Sequence, residues 1–160
     1  IKPDFEQIDL ADAAATAGFF MRNTGIAGII HFAAYKAVGE SMQKPLEYYR
    51  NNVQSLINLL EGMKVHGIRD IVFSSSCTVY GQPDELPVTE NAPVKTAWSP
   101  YGSTKQVCEE ILRFTTMAHP LYSIALRYFN PVGAHPSALI GELPVGVPNN
   151  LVPYITQTPI

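Results

Sequence analysis

Cysteine is scarce in this sequence. Cys77 and Cys108 are the only two in 160 residues, too few for the disulfide framework of a small secreted domain. No apolar run reaches the ~18 residues that a membrane-spanning helix needs. The first residues also lack the basic flank and apolar core of a signal peptide. We therefore expect a cytoplasmic protein with no membrane partner.

Positive charge is also in short supply. The chain has 11 Lys and Arg against 14 Asp and Glu, a formal net charge of −3. Binding to nucleic acid depends on a clustered positive surface, so we do not expect a nucleic-acid partner. The remaining composition, with 46% hydrophobic residues, is that of an ordinary globular protein long enough for one sizeable core. Small molecules or other protein chains are the expected partners.

Strand and helix patterns alternate along the chain. Short apolar runs predict the end of a strand at 5–9 and strands at 26–33, 71–75 and 123–129. Helical spacing predicts helices at 12–21, 45–66 and 100–116. The segment 82–96 is predicted to be a loop, and 132–149 an irregular excursion. This alternation predicts an α/β fold with a parallel, doubly wound sheet and right-handed crossovers.

The segment 99–105 places a tyrosine and a lysine four residues apart at the start of a predicted helix. Ser99 suits the N-cap and Pro100 the first helical position. Residues at i and i+4 share one face, so Tyr101 and Lys105 are expected to enter one site. A nearby ammonium lowers the pKa of a phenol from its usual value near ~10. The spacing therefore predicts a tyrosine that works as an acid and base.

Three serines close the strand that precedes this helix. Ser74, Ser75 and Ser76 follow a β-branched apolar run and come before Gly81. Ligands bind at the carboxyl edge of an open α/β sheet, so these hydroxyls are expected to face one. A plain polar turn after the strand is the alternative interpretation.

These segments, with others in fixed order, resemble the extended short-chain dehydrogenase/reductases, and within them the enzymes that epimerise nucleotide sugars. The matching segments span nearly the whole chain: 31–34, 36–41, 49–53, 73–81, 99–105, 126–135 and 148–154. The resemblance implies a Rossmann-type NAD-binding domain over 1–131 and the start of a substrate-binding region over 132–160. A series of motifs in one order is more specific than any single motif.

The activity that the resemblance implies is reversible epimerisation at C4 of UDP-glucose and UDP-galactose, a step of galactose metabolism. It proceeds through a 4-keto intermediate with tightly bound NAD. Tyr101 takes the proton of the C4 hydroxyl, Ser76 hydrogen-bonds that oxygen, and Lys105 holds the tyrosine pKa down. A UDP-sugar is the implied partner. A homodimer through the helices at 45–66 and 100–116 is implied for the full-length enzyme.

The resemblance also implies the residues that contact ligands. For the cofactor they are Asp9, Phe32, Ala33, Lys36, Asn52, Ser74, Tyr101, Lys105 and Phe129; for the substrate they are Lys36, Ser76, Tyr101, Asn130, Asn150 and Leu151. Other interpretations stay open: a helix cap for Asp9, strand core for Phe32 and Ala33, a solvent-facing amide for Asn52, and a turn for Asn150. The histidines show no metal-ligand spacing with the cysteines, so no metal is predicted.

A glycine-rich turn between a first strand and helix, which would hold the pyrophosphate of NAD, is missing. The glycines Gly25 and Gly28 precede a strand instead of following one. The resemblance therefore implies an internal fragment without the first βαβ elements and most of the small substrate domain. We expect this chain alone to be inactive and either poorly soluble or self-associating.

Two other functions remain open. A dehydratase or decarboxylase of the same family is one, although dehydratases carry an acidic pair where this chain has Cys77 and Thr78. A non-catalytic fragment is the other.

Overall fold

The computed structural model describes residues 3–133, 135–137, 139 and 151–157. In chain order the elements are α1 (Ala13–Arg22), β1 (Gly28–His31), α2 (Val38–Gln43), α3 (Pro45–His66), β2 (Asp70–Ser76), a 3₁₀ helix (Cys77–Tyr80), α4 (Pro100–Ala118), β3 (Tyr122–Tyr128) and α5 (Leu151–Gln157). The chain divides into two compact units, residues 1–127 and residues 128–160. No helix in the described ranges is long and apolar enough to cross a membrane.

The three strands form one sheet in the order β1-β2-β3. β1 and β2 run parallel, with Gly28 opposite Asp70 and His31 opposite Phe73. The strands are separated along the chain by helices, as expected of crossover connections. The predicted α/β fold with a parallel sheet is confirmed. Because parallel strands end at one edge, the segments after β1 and β2 share that edge.

The hydrophobic core lies between the sheet and the helices α1, α3 and α4. Its most buried members include Phe20, Leu56, Met63, Phe73 and Cys108. On the opposite side of the sheet, the side chains of Ile30 and Ile124 are 66% and 59% exposed. One face of the sheet is therefore packed and the other is open in residues 3–127.

Local sequence signals place the ends of the long helices. The Ser99 hydroxyl accepts a hydrogen bond from the Gly102 amide at 3.1 Å, and Pro100 occupies the first turn of α4. α3 ends at Gly67, whose φ of +68° is a left-handed conformation that glycine adopts without strain. α3 has the predicted bounds, and α4 extends two residues beyond them.

Several elements differ from the sequence-based expectation: β1 is four residues long instead of eight, and α5 was not predicted. Residues 5–9 form no strand, because a strand needs a neighbour for its backbone groups and this segment pairs with none of the three described strands. Glu6 instead hydrogen-bonds Arg22 and Asn23 at the end of α1. α2 and the 3₁₀ helix were not predicted. Both are under seven residues long, too short to show a helical period.

Candidate active site

Several of the predicted site residues of the first unit lie at the carboxyl edge of the sheet. β1 ends at His31, so residues 32–36 follow it at this edge, and β2 ends at Ser76. The first turns of α4 bring Tyr101 and Lys105 to the same place. Ligands bind at this edge in open α/β folds, so the location agrees with the prediction.

The Ser76 side chain is a hydrogen-bond partner of Tyr101. Both side chains are almost buried, at 9% and 8% exposed. The Ser76 hydroxyl accepts hydrogen bonds from the Thr78 amide at 3.2 Å and the Thr78 hydroxyl at 3.0 Å. Its own proton is then free to donate to the Tyr101 oxygen, and this hydrogen bond favours the phenolate. The structure thus brings the Ser76 and Tyr101 side chains together, which their separation along the chain could not predict.

Lys105 is a buried cation, 4% exposed. Its Nζ donates to the Ser74 carbonyl oxygen at 2.7 Å. The same atom lies 4.8 Å from the ring centroid of Phe73 and 5.8 Å from that of Tyr101. Burial lowers the pKa of Lys105, because desolvation disfavours its charged form. A positive charge is therefore held beside the Tyr101 ring, as the four-residue spacing predicts.

The pKa of Tyr101 is raised, which differs from the expectation that Lys105 holds it down. Burial is the main cause, because it removes water from the phenolate. The hydrogen bond from Ser76 lowers the pKa but does not outweigh burial, and Cys77 adds a further rise. Lys105 points its ammonium at the Ser74 carbonyl. The i,i+4 rule placed the two residues correctly but carried no information on desolvation.

Asn52 is buried and its amide is fully used inside the protein. Oδ1 accepts from the Tyr35 amide at 2.8 Å and from Asn51 Nδ2 at 3.0 Å. Nδ2 donates to the Tyr35 carbonyl at 3.0 Å and to the Thr104 hydroxyl at 3.1 Å. An amide has two acceptor and two donor positions, so all of them are used in this arrangement. Asn52 ties the segment after β1 to α4, and the cofactor contact implied for it stays a prediction.

Asn51 is the amide that the sequence reasoning missed. It is half-buried, and its Nδ2 donates to Asn52. Within residues 3–133, no hydrogen bond to its Oδ1 is found, so this oxygen can accept one from a ligand. The two asparagines are adjacent in sequence, and only their packing distinguishes the structural one from the available one.

The other cofactor residues of the first unit lie outside the core. Phe32, Ala33 and Lys36 are exposed after β1, so the strand-core interpretation of the first two is wrong. Asp9 accepts from the Ala11 amide at 2.9 Å in a turn, while Asp12 caps α1 by accepting from Ala14 and Ala15. The proposed cap is therefore three residues further along the chain.

The remaining predicted ligand residues fall in the second unit. Phe129 and Asn130 are exposed just after β3. Leu151 is the first residue of α5 and is 72% exposed. Asn150 lies outside the described residues. The ligand contacts implied for these four residues stay predictions.

His31 is a buried core histidine, with its ring 5.8 Å from that of Phe73. Burial, followed by the charge of Lys105, lowers its pKa to about 4. In the unfolded chain this imidazole has its usual pKa near ~6.5. Below that pH it binds a proton in the unfolded state that it does not bind in the folded state. The folded state therefore loses stability as the pH falls from about 6.5 towards about 4.

We expect this histidine to remove on the order of 2 kcal/mol from the free energy of unfolding between pH 7 and pH 5. Urea denaturation at both values measures it, and His31→Gln, which does not titrate, is the control. The carboxylates titrate in both proteins, so the difference between their pH slopes isolates His31. Equal slopes would contradict the assignment.

Fold and site together define a Rossmann-type α/β protein with a serine, tyrosine and lysine at the carboxyl edge of its sheet. The family profile described as "NAD dependent epimerase/dehydratase family" matches residues 2–145. The chain belongs to this family, as the sequence predicted. Among the described residues, no cluster of His, Cys, Asp or Glu could hold a metal ion.

Proteins that are similar to this chain in sequence and proteins that are similar to it in structure carry the same name. It is 52% identical over 160 residues to UDP-glucose 4-epimerase of Yersinia enterocolitica, covering 99% of this chain and 47% of the relative. A crystal structure of UDP-glucose 4-epimerase from Bifidobacterium longum in complex with NAD+ and UDP superposes with a TM-score of 0.89 at 50% identity, covering 96% of this chain and 46% of the other.

A third comparison is with UDP-glucose-4-epimerase of Stenotrophomonas maltophila with bound NAD and formylated UDP-arabinopyranose. The TM-score is 0.88 and the identity 48%, with 97% of this chain and 46% of the other covered. The chain spans about half the length of the relatives that it matches.

Proposed function

We propose that this chain is part of an enzyme that interconverts UDP-glucose and UDP-galactose by epimerisation at C4. The observation that carries the proposal is the hydrogen bond between Ser76 and Tyr101 with the Lys105 ammonium beside the Tyr101 ring. These are the groups needed to hold a sugar hydroxyl and move its proton. The named relatives, which act on UDP-sugars, support the choice of substrate.

The residues at this edge fit NAD as the cofactor. Phe32 and Ala33 offer an exposed apolar surface next to the buried acid/base pair, Lys36 offers a cation for phosphate, and Asn51 a free amide oxygen. When bound, NAD accepts and returns the hydride of C4. Net oxidation is zero in an epimerisation, so the site must retain the cofactor between the two half-reactions.

The chemical work of the chain itself is proton transfer. Tyr101 removes the proton of the C4 hydroxyl and later returns it, while Ser76 donates a hydrogen bond that stabilises the charged oxygen. Burial raises the pKa of Tyr101, so the phenolate needs positive charge nearby. Lys105 supplies this charge, and the Ser74 carbonyl holds its ammonium in place.

Product analysis tests the proposal. The test protein, called here the full-length form, is the Yersinia enterocolitica relative with its matching residues replaced by this chain. Given UDP-galactose, it should yield UDP-glucose with no net reduction of NAD. Cys77 and Thr78 supply no carboxylic acid for elimination at C6, and the Thr78 hydroxyl is already bonded to Ser76. A 4-keto-6-deoxy product in the mass spectrum would replace the epimerase proposal by a dehydratase.

We also propose a homodimer through α3 and α4. A groove of about 350 Å³ between these helices is lined by the apolar side chains of Ile57, Leu60, Ile111 and Phe114 and, among others, by the charged residues Glu61 and Lys64. Phe114 is 55% exposed on this surface, and such patches mark interaction sites. Light scattering of the full-length form tests the dimer, which Phe114→Glu should dissociate. We also propose a cytoplasmic location, which the scarcity of cysteine favours, and cell fractionation tests it.

A further inference from the structure

A partly buried ion pair between Arg127 and Glu109 contacts the end of β2 that carries the three serines. Arg127 of β3 donates from Nε to Glu109 Oε1 at 3.0 Å and from Nη2 to Oε2 at 2.6 Å. The Ser75 hydroxyl donates to Oε1 of the same carboxylate at 2.5 Å. The side chains of Arg127 and Glu109 are 24% and 16% exposed. A two-bond pair of this kind is more rigid than a surface ion pair.

Glu109 lies on the same face of α4 as the acid/base pair. Tyr101, Lys105 and Glu109 follow one another at four-residue spacing. Each contacts a different one of the three serines at the end of β2. Tyr101 meets the Ser76 hydroxyl, Lys105 the Ser74 carbonyl, and Glu109 the Ser75 hydroxyl. One helix face therefore fixes three consecutive strand residues.

Arg127 extends the network to the far side of Ser76. Its guanidinium carbon lies 4.7 Å from the ring centroid of Tyr80, and its side chain hydrogen-bonds Tyr80. Tyr80 ends the 3₁₀ helix that begins immediately after Ser76. The Glu109–Arg127 ion pair thus holds Ser75, which precedes Ser76, and Tyr80, which follows it. A displacement of about 1 Å is enough to break a hydrogen bond from the hydroxyl between them.

We propose that Glu109, held by Arg127, is a positioning residue that keeps the Ser76 hydroxyl in hydrogen-bonding distance of Tyr101. It fixes the serine end of β2 against α4 and touches neither substrate nor cofactor. The inference rests on the proposed function, which supplies the reaction that Ser76 and Tyr101 serve. A buried carboxylate needs a compensating cation, and the Arg127 guanidinium provides it without adding net charge beside Lys105.

Steady-state kinetics of the full-length form test the inference. Glu109→Ala should lower kcat per bound NAD by roughly 10²-fold, the size of effect known for small misplacements. The KM for UDP-galactose should change less than about threefold, because Glu109 itself makes no substrate contact and the Ser76 hydrogen bond acts mainly on the oxygen that becomes charged in the reaction. The Ser76 hydrogen bond lowers the pKa of Tyr101. Its loss should therefore move the Tyr101 limb of the pH profile to higher pH.

Glu110→Ala is the matched control. Glu110 is the next residue of α4 and pairs with Arg113 at 3.0 Å, with side chains 60% and 53% exposed. It should leave kcat and the pH limb unchanged. Glu109→Gln keeps an acceptor for the Ser75 hydroxyl and should recover much of the activity. If Glu109→Ala loses its NAD, the kcat and the pH limb of Glu109→Gln are compared with those of Glu110→Ala instead.

A Glu109→Ala variant that matches Glu110→Ala in kcat per bound NAD and in the pH limb would overturn this inference and leave the proposed function standing. An unmutated full-length form that retains NAD but does not epimerise UDP-galactose would overturn the proposed function instead.

Discussion

Replacing Tyr101 by phenylalanine is expected to lower the turnover of the full-length form by roughly 10²- to 10⁴-fold, the range for loss of general acid/base catalysis. The ring stays, so the packing of this buried side chain changes little. Only the hydroxyl that meets Ser76 is removed. Binding of NAD and of UDP-sugar should persist, because the phenol proton is needed for the reaction and not for affinity. Turnover assays and calorimetry on the same preparation measure both.

Tyr122→Phe is the control for this substitution. Tyr122 is 68% exposed at the start of β3, and loss of its hydroxyl should leave turnover unchanged. A Tyr101→Phe variant with the turnover of this control would remove Tyr101 from the proposed role.

Replacing Lys105 by methionine is expected to lower turnover at neutral pH by roughly 10- to 10³-fold. Methionine fills most of the buried space of the lysine stem but carries no charge. An opposite charge nearby shifts a pKa by about 1 to 3 units, so its loss reduces the phenolate fraction of Tyr101 by the same powers of ten. Burial already raises the pKa of Tyr101, and only the Ser76 hydrogen bond then opposes that rise.

The pH dependence separates this effect from simple damage. Because the pKa of Tyr101 rises, the activity of Lys105→Met should recover as the pH increases, at pH values where the unmutated protein has reached its plateau. Lys64→Met, at an exposed lysine of α3, is the control and should keep the original profile. Activity that stays low with an unshifted profile would mean that Lys105 does not act through the charge of Tyr101.

The pairing of Tyr101 and Lys105 on one helix face could be predicted because it depends only on local geometry. Helical spacing, the Ser99 cap and Pro100 are all properties of neighbouring residues. The strand that ends in the three serines could be predicted for the same reason, since apolar alternation and β-branching are local signals. Both elements are present close to their expected bounds.

Asn52 is a residue whose hydrogen-bond partners could not be predicted from local sequence signals. The resemblance implied a cofactor contact for it, but three of its four hydrogen bonds join it to residues 17 and 52 positions away. Nothing in the sequence near Asn51 and Asn52 tells which amide is saturated. That depends on the packing of α3 against the segment after β1 and against α4.

By itself, the sequence determined the α/β fold class, the family and the helix face that carries Tyr101 and Lys105, because these follow from short-range periodicity and from motifs in fixed order. Only the tertiary structure decided that Ser76 meets Tyr101, that burial raises the tyrosine pKa, and that Glu109, Arg127 and Ser75 form one network. The reason is physical: desolvation and hydrogen-bond partners depend on which distant residues pack together, and the spacing of residues along a chain does not specify them.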